Sequence, residues 1–338
     1  MKQAVMTEPG VIEIREVRPP VAEAREVLVR VRRIGVCGSD IHVWHGKHPY
    51  TSYPVVQGHE FSGVVESVGE GVTGIPPGSK VTALPQVVCG TCGPCRRGDY
   101  HICDELKVQG FQAPGCAQEL FAAEAEKVVV LPESFTFEQG ALGEPTAVAV
   151  HAVGRASAVS GKNVAVLGAG PIGNLVAQTA RSNGANVLIT DVSPFRLDVA
   201  RKCDLAATSN PRDETLKDAA ERVFGRPSLD IVFECVGIED TLSAAVETIG
   251  KGGTIIVVGV FAEKPRVDVG FVQDHELTLR GTLMYKREDY LEAVELIRRG
   301  EIITHPLESK HFGLEQYADA YAFIEEQGDR RMKVFIDF

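Results

Sequence analysis

Apolar and polar residues are arranged differently in the two halves of the chain. In the first half, short runs with partial alternation end at glycine or proline turns, as in 27–32, 61–69 and 80–84. A histidine-rich stretch, 42–54, reads as a loop between them. This pattern predicts a β-rich domain, a small barrel or sandwich, over residues 1–150.

From residue 163 the chain alternates apolar runs with amphipathic stretches. Four runs are apolar almost throughout, and 277–279 is expected to close the same sheet; the four are 164–167, 187–190, 231–233 and 254–258. Such strands, separated by helices, predict a parallel sheet covered on both faces, over residues 151–285. The remaining segment, 286–338, has a helical pattern at 289–299 and a terminal strand at 333–336.

Charge and cysteine content narrow the class of protein. The 338 residues include 35 lysines and arginines against 46 aspartates and glutamates, a net charge of −11. This balance argues against nucleic acid or an anionic membrane as the main partner. The chain opens without the apolar core of a signal peptide and has no bilayer-length apolar run, so we expect a cytoplasmic protein. In such a protein, clustered cysteines more often bind metal than form disulfides.

Four cysteines form a compact cluster, a lobe over residues 89–103. Cys89, Cys92, Cys95 and Cys103 have the spacing C-x2-C-x2-C-x7-C. Four thiolates complete a tetrahedral shell with no open position, which predicts a structural zinc site. An iron–sulfur cluster, redox thiols or a lobe that has lost its metal are the alternatives.

A glycine-rich turn lies between an apolar run and a predicted helix. Its sequence is G-x-G-x-x-G and comprises Gly168, Gly170, Pro171, Ile172 and Gly173. In this context the motif predicts a dinucleotide site, with the pyrophosphate at the helix N-terminus.

Asp191 and Arg196 follow the next predicted strand, and both are candidates to contact the adenosine half of that dinucleotide. Asp191, eighteen residues after Gly173, is placed to accept ribose hydroxyls and repel a 2′-phosphate, which favours NAD over NADP. The alternative for Asp191 is a helix cap. Arg196 either covers the adenosine or is solvated.

A thiol, a hydroxyl, a carboxylate and an imidazole fall within six residues, at Cys37, Ser39, Asp40 and His42. His59 follows about twenty residues later. We expect Cys37, His59 and a carboxylate to hold a catalytic zinc, while Ser39 and His42 carry a proton away from it. Taken singly, Cys37 and His59 read as a buried thiol and a turn histidine.

Together these motifs resemble those of the zinc-dependent medium-chain alcohol dehydrogenases, over essentially the whole chain. The match is closest to the polyol branch, which includes sorbitol, sugar-alcohol and sugar-acid dehydrogenases. The resemblance implies a GroES-like catalytic domain at 1–150 and a Rossmann NAD-binding domain at 151–285. It also implies that 286–338 returns to the catalytic domain.

The resemblance also assigns roles residue by residue. Cys37 and His59 match the first two catalytic zinc ligands, and Glu144 stands where polyol enzymes have a third. Glu60 matches a glutamate beside the metal that is able to enter its shell, and Asp40 the carboxylate that orients the ligand imidazole. Ser39 and His42 match the proton relay. The segments that match the nicotinamide lining are Val258, Gly259 and Val260, and Leu283 with Met284.

The implied activity is hydride transfer from a secondary alcohol of a polyol, sugar alcohol or sugar acid to NAD, with one catalytic and one structural zinc. Met284 departs from the pattern, because sorbitol enzymes have arginine there, and this leaves the substrate open. Tyr285 either faces the pocket or belongs to the core. L-Threonine 3-dehydrogenase is one alternative, and a non-catalytic NAD-binding structural protein is another. The resemblance further implies a homo-oligomer, a dimer or tetramer.

Overall fold

The computed structural model describes all residues from Met1 to Phe338. They form two compact units. The first unit comprises Met1–Glu144, Lys286–Arg298 and Glu308–Phe338, and the second comprises Pro145–Tyr285 and Arg299–Leu307. No helix has the length and apolar character needed to cross a membrane.

The strands, in chain order, are β1 (Lys2–Glu8), β2 (Val11–Glu16), β3 (Glu26–Gly35), β4 (Glu60–Val68), β5 (Lys80–Ala83), β6 (Gln86–Val87), β7 (Lys107–Val108), β8 (Leu120–Glu124), β9 (Val128–Val130), β10 (Asn163–Leu167), β11 (Asn186–Thr190), β12 (Thr208–Ser209), β13 (Leu229–Glu234), β14 (Ile249–Val257), β15 (Thr278–Gly281), β16 (Glu308–Gly313) and β17 (Lys333–Asp337). The α-helices are α1 (Gly38–Trp44), α2 (Gly93–Arg96), α3 (Phe137–Ala141), α4 (Gly143–Arg155), α5 (Pro171–Ser182), α6 (Pro194–Lys202), α7 (Leu216–Phe224), α8 (Glu239–Thr248), α9 (Val269–Asp274), α10 (Arg287–Arg298) and α11 (Tyr317–Gln327). Four 3₁₀ turns span Tyr100–Ile102, Ala125–Lys127, His305–Leu307 and Leu314–Gln316.

The first unit is organised on a seven-stranded sheet. Its strand order is β16-β17-β3-β4-β5-β9, and β8 pairs with part of β3. The C-terminal strand β17 lies antiparallel to β3, with Phe335 opposite Gly35. Strand β4 borders β3 on its other side, with Gly35 opposite Glu60. One end of β3 is therefore flanked by the start of β4 and the start of β17.

The second unit contains a six-stranded parallel sheet. The strand order is β12-β11-β10-β13-β14-β15, so the direction of winding reverses between β10 and β13. The strands are apolar because helices cover the faces of a parallel sheet. On one face, Leu167, Val232 and Ile255 pack with Leu242 and Val246 of α8. The β-rich unit and the doubly wound parallel sheet confirm the predicted fold class.

Two sequence-based expectations differ from the structure. The stretch expected to open a loop at residue 42 is helical through Trp44, in α1. The segment 286–338 does not return whole to the first unit, because Arg299–Leu307 belongs to the second. The side chain of Gln178 in α5 accounts for this, since its amide donates to the carbonyl of Ile303 and accepts from its N–H, at 3.2 and 2.6 Å.

Candidate active site and metal centres

Three potential metal ligands lie at one edge of the seven-stranded sheet. Cys37 follows the end of β3, and His59 immediately precedes β4, so the antiparallel register brings both to the same edge. The sulfur of Cys37, a ring nitrogen of His59 and a carboxylate oxygen of Glu60 all lie within 4.8 Å of one another. Zinc accepts such a mixed set of sulfur, nitrogen and oxygen ligands.

The protonation of these groups depends on burial and on neighbouring charge. Burial, followed by the charge of Glu60, raises the pKa of the Cys37 thiol. Burial lowers the pKa of His59, but Asp40 and Cys37 outweigh it and raise that pKa to about 10. Buried Nδ1 of His59 and Oδ1 of Asp40 have no hydrogen-bond partner and lie 3.8 Å apart. Because zinc binds thiolate and neutral imidazole, a metal ion bound here would replace the thiol proton of Cys37 and one of the two ring protons of His59.

The sequence analysis missed a buried lysine in this cluster. Lys333, the first residue of β17, donates to both carboxylate oxygens of Glu60, at 2.8 and 2.7 Å, and to the carbonyl of Val36, at 3.2 Å. Lys333 is 4% exposed and Glu60 is 1% exposed. Burial lowers the pKa of Lys333, but the charges of Glu60 and Cys37 raise it overall. The signal in the sequence was a charged residue opening an otherwise apolar terminal strand.

Close packing at Gly35 supports this ion pair. A Cβ atom added to Gly35 would lie 2.4 Å from Oε2 of Glu60 and 3.3 Å from the stem of Lys333. Residue 35 therefore has to be small for the Glu60 carboxylate to occupy its position against Lys333.

Glu144 lies in the first turn of α4 and is also buried. It falls outside the group of three ligands that lie within 4.8 Å of one another. Its charge nevertheless contributes to raising the pKa of both His59 and Lys333, so it belongs to the same electrostatic cluster. Glu60, rather than Glu144, is therefore the carboxylate grouped with Cys37 and His59.

Helix α1 presents the predicted relay residues. Cys37 precedes the helix, and its backbone N–H donates to Oδ2 of Asp40 at 2.9 Å. Buried Asp40 thereby fixes the start of α1 beside the potential ligands. Ser39 and His42 are three residues apart, so they share one face of the helix, with Ser39 half-buried and His42 exposed.

Helix α11 holds the other end of α1. The rings of Trp44 and Tyr321 are stacked, with centroids 4.6 Å apart. The hydroxyl of Tyr321 donates to the side chain of Gln57 at 2.7 Å, and Gln57 donates to the carbonyl of Asp40 at 3.3 Å. Because α11 also packs against β17, α1 is linked through α11 to the strand that supplies Lys333.

The loop after α1 lies close to the ligand histidine. The ring of His48 stacks on Phe111, with centroids 4.6 Å apart, and Phe111 lies 4.9 Å from the ring of His59. Nδ1 of His48 forms a hydrogen bond with the Thr51 hydroxyl at 2.7 Å. Partial burial lowers the pKa of His48. His45, in contrast, pairs with Glu325 at 2.7 Å.

The four-cysteine cluster has the geometry of a second metal site. The ligand atoms of Cys89, Cys92, Cys95 and Cys103 all lie within 4.8 Å of one another. The sulfur of Cys103 lies 3.5 Å from that of Cys89 and 3.8 Å from that of Cys92. Sulfurs at the corners of a tetrahedron with zinc–sulfur bonds of about 2.3 Å are separated by about 3.8 Å. All eight cysteines are free thiols, so the cluster is not cross-linked by disulfides.

In the second unit, the glycine-rich turn joins β10 to α5. Gly168 has φ +95°, and a Cβ atom on Gly173 would lie 1.9 Å from the carbonyl oxygen of Gly168. Glycine is therefore required where the turn meets the helix. Gly170 precedes α5 and Pro171 is its first residue, so the turn and the helix N-terminus together are suited to bind a pyrophosphate.

Asp191 directly follows β11 and is 7% exposed. Its carboxylate accepts from the backbone N–H groups of Ala169 and Ser193, at 2.7 and 2.8 Å. Arg196 lies 3.7 Å from it. Ser193 provides the side-chain cap of α6, so Asp191 links the glycine turn to that helix instead of capping it. A carboxylate has about four acceptor positions, which leaves two for ribose hydroxyls.

The remaining predicted cofactor residues follow the carboxyl ends of β14 and β15. Val260 is 76% exposed and Leu283 is 52% exposed, so both offer apolar surface to a ligand. Met284 has φ +50°, a strained conformation for a residue with a long side chain. Tyr285 is fully buried, in agreement with the core alternative.

A β-rich unit with two potential zinc sites, combined in one chain with a dinucleotide-binding sheet, defines a zinc- and nicotinamide-dependent dehydrogenase. Comparison with known families agrees. Residues 23–133 match the alcohol dehydrogenase GroES-like domain, and residues 171–299 match the zinc-binding dehydrogenase domain. The chain belongs to the zinc-binding alcohol dehydrogenase family, which confirms the predicted resemblance.

Individual relatives cover nearly the whole chain. It is 36% identical to the 2-dehydro-3-deoxy-L-galactonate 5-dehydrogenase of Pseudoalteromonas atlantica, covering 94% of this chain and 92% of the relative. It is 30% identical to the sorbitol dehydrogenase of Bacillus subtilis, over 99% and 97% of the two chains. Among solved structures, a zinc-binding dehydrogenase from Sinorhizobium meliloti bound to NADP has a TM-score of 0.92 and 28% identity, covering 100% and 99%.

Proposed function

We propose that the chain is a zinc-dependent oxidoreductase that oxidises a secondary alcohol of a polyol, sugar alcohol or sugar acid and transfers the hydride to NAD. The observation that carries this proposal is the group of Cys37, His59 and Glu60, whose ligand atoms lie within 4.8 Å of one another. Relatives that act on a sugar acid and on sorbitol support the substrate class.

Zinc, when bound, supplies an electrophile that lowers the pKa of a substrate hydroxyl, and NAD accepts the hydride. The other steps belong to side chains of the chain itself. The Ser39 hydroxyl would accept the substrate proton while it releases its own proton toward His42, which is exposed on the same face of α1 and would pass a proton to solvent. Lys333 holds the Glu60 carboxylate in place, and a harder oxygen ligand suits an oxygen-rich substrate.

The proposal includes finer assignments. Asp191 supports NAD over NADP, because its carboxylate would repel a 2′-phosphate. We assign the four-cysteine cluster to a structural zinc. Free thiols throughout the chain support a reducing, cytoplasmic compartment. We further propose a homo-oligomer, either a dimer or a tetramer.

Metal counting combined with a substrate panel tests the function. The wild-type protein is expected to hold two zinc ions per chain and to form NADH with a polyol or an aldonate. Cys37→Ala should lose one zinc and all turnover and keep its circular dichroism spectrum, whereas Cys203→Ala, at a buried thiol of the second unit, should keep both ions. Turnover retained in Cys37→Ala would contradict the mechanism.

The same experiment separates the alternatives. One zinc per chain and no turnover would favour a non-catalytic NAD-binding structural protein. L-Threonine is included in the panel, and its preferential oxidation would replace the polyol assignment by L-threonine 3-dehydrogenase.

A further inference from the structure

A fully buried carboxylate lies at the carboxyl end of the parallel sheet. Glu234 is the last residue of β13 and is paired with Leu167 of β10 on one side and Val257 of β14 on the other. Its Oε1 accepts three hydrogen bonds, from the N–H groups of Val236 and Gly237, both at 2.9 Å, and from the Thr241 hydroxyl at 2.8 Å.

The second oxygen of this carboxylate has no partner. Oε2 of Glu234 is buried without a hydrogen bond, and none of the three donors to Oε1 is a charged side chain. Three hydrogen-bond donors therefore converge on one oxygen, and the positive ends of their dipoles face this carboxylate. An unpaired buried acceptor is costly to a fold, so its retention calls for a functional reason.

Glu234 also joins two loops, one through its carboxylate and the other through its backbone carbonyl. The backbone carbonyl of Glu234 accepts from the N–H groups of Val258 and Gly259, at 2.8 and 2.9 Å, after the end of β14. A Cβ atom on Gly259 would lie 2.3 Å from the nitrogen of Gly237 and 2.8 Å from Oε2 of Glu234. The loops that follow β13 and β14 therefore pack backbone to backbone around Glu234.

The sheet order assigns these loops to one half of the dinucleotide. Ligands of such sheets bind at the carboxyl ends of the strands, where the winding reverses. Here the pyrophosphate turn follows β10 and the adenosine carboxylate, Asp191, follows β11. The other half of the dinucleotide must extend in the opposite direction, over β13 and β14. That half carries the nicotinamide.

We propose that Glu234 is a positioning residue that builds the nicotinamide half of the cofactor site and that its negative charge favours the oxidised cofactor over the reduced one. The nicotinamide ring of NAD⁺ carries a positive charge, which disappears when C4 accepts a hydride. An uncompensated buried carboxylate beneath this half of the site therefore stabilises NAD⁺ selectively. This inference rests on the proposed NAD-dependent function.

The test compares dissociation constants for NAD⁺ and NADH, measured by calorimetry and by cofactor fluorescence. Glu234→Gln keeps the shape and the acceptor for three donors but removes the charge. We expect it to raise the ratio Kd(NAD⁺)/Kd(NADH) on the order of tenfold, which corresponds to the loss of an attraction of about 1.4 kcal/mol. Glu234→Asp keeps the charge on a shorter stem, so both affinities should fall with the ratio little changed.

Glu239→Gln is the matched control. It removes a carboxylate from the first turn of α8, but that carboxylate pairs with Arg266 at 2.8 Å. We expect the ratio to remain within about twofold of the wild-type value. Thermal unfolding verifies that each variant is folded.

Two results would overturn the inference. If Glu234→Gln weakens both cofactors equally, or if Glu234→Asp shifts the ratio as much as Glu234→Gln, the carboxylate is only structural. If the wild-type protein binds neither NAD⁺ nor NADH, the proposed function fails together with this inference, and this outcome is distinguished by the wild-type titration alone.

Discussion

Removing the ammonium group of Lys333 tests the electrostatic design of the candidate metal centre. Lys333→Met keeps a long, flexible apolar stem but deletes both hydrogen bonds to Glu60, at 2.7 and 2.8 Å, and the one to the Val36 carbonyl. Glu60, 1% exposed, is then left as a buried carboxylate without its cation. Breaking a buried pair by removing one partner costs about 3–5 kcal/mol.

The surroundings of Glu60 place the expected loss toward the lower part of that range, because the raised pKa of His59 leaves a second cation close to the carboxylate. The charges of Glu60 and Glu144 both act to raise the pKa of Lys333, so this ammonium group stabilises two buried carboxylates. Without it, these groups repel one another. A double variant that also carries Glu60→Gln removes the uncompensated charge and should recover about 2 kcal/mol.

Urea unfolding of the metal-free protein measures these effects. Lys310→Met is the control, because Lys310 lies on the neighbouring strand β16 but is exposed, and it should change the free energy of unfolding by about 0.5 kcal/mol or less. With zinc present, the loss in Lys333→Met should be smaller, since the bound cation replaces the missing charge. A loss below about 1 kcal/mol without metal, or no recovery in the double variant, would refute the reasoning.

Three further predictions follow from local geometry. Gly35→Ala should displace the Glu60 carboxylate, because the added Cβ would lie 2.4 Å from it; turnover should fall at least tenfold, and unchanged kinetics would contradict the steric argument. Cys92→Ser should lose one zinc per chain by metal analysis and lower the melting temperature, yet leave the NADH dissociation constant unchanged. An unchanged zinc content would show that the four-cysteine cluster is not a metal site. Burial raises the pKa of Glu138, but its hydrogen bonds and Arg33, at 2.6 Å, lower it overall. The stabilisation by the Glu138 carboxylate is therefore present above the ordinary glutamate pKa and lost as the pH falls through the lowered value. Glu138→Gln should cost about 1 kcal/mol at pH 7 and nothing in acid. Urea titrations at several pH values measure this difference.

The parallel sheet could be predicted from sequence because its strands are apolar on both faces. The runs 164–167 and 187–190 correspond to β10 and β11, each of which extends one residue further in the N-terminal direction. Strand β14 shows where the pattern fails. Its first half, Ile249–Gly253, contains three glycines and a lysine, so only the apolar second half was recognised.

Local spacing explains which parts of the site were accessible from sequence. Cys37 and His59 were predicted because thiol and imidazole are typical zinc ligands, and the four cysteines because a tight turn aims paired thiolates at one point. Helix α1 was taken for a loop at His42 because it is only seven residues long and its stability comes from Asp40 and the stacked ring of Tyr321, which is distant in sequence. A short helix fixed by tertiary contacts has little periodicity of its own.

Lys333 and Glu234 show why the remaining residues could not be predicted. Each is a charge at the end of an apolar strand, and sequence alone reads such a charge as solvent-exposed. What buries Lys333 is the register of β17 on β3, and what buries Glu234 is the position of β13 between two other strands. A charge that is buried by strand pairing is stabilised by an opposite charge. The Glu60 carboxylate is that opposite charge for Lys333, whereas Glu234 accepts hydrogen bonds only from neutral donors. The difference between the two is the reason for expecting that the positive charge that complements Glu234 comes from a ligand.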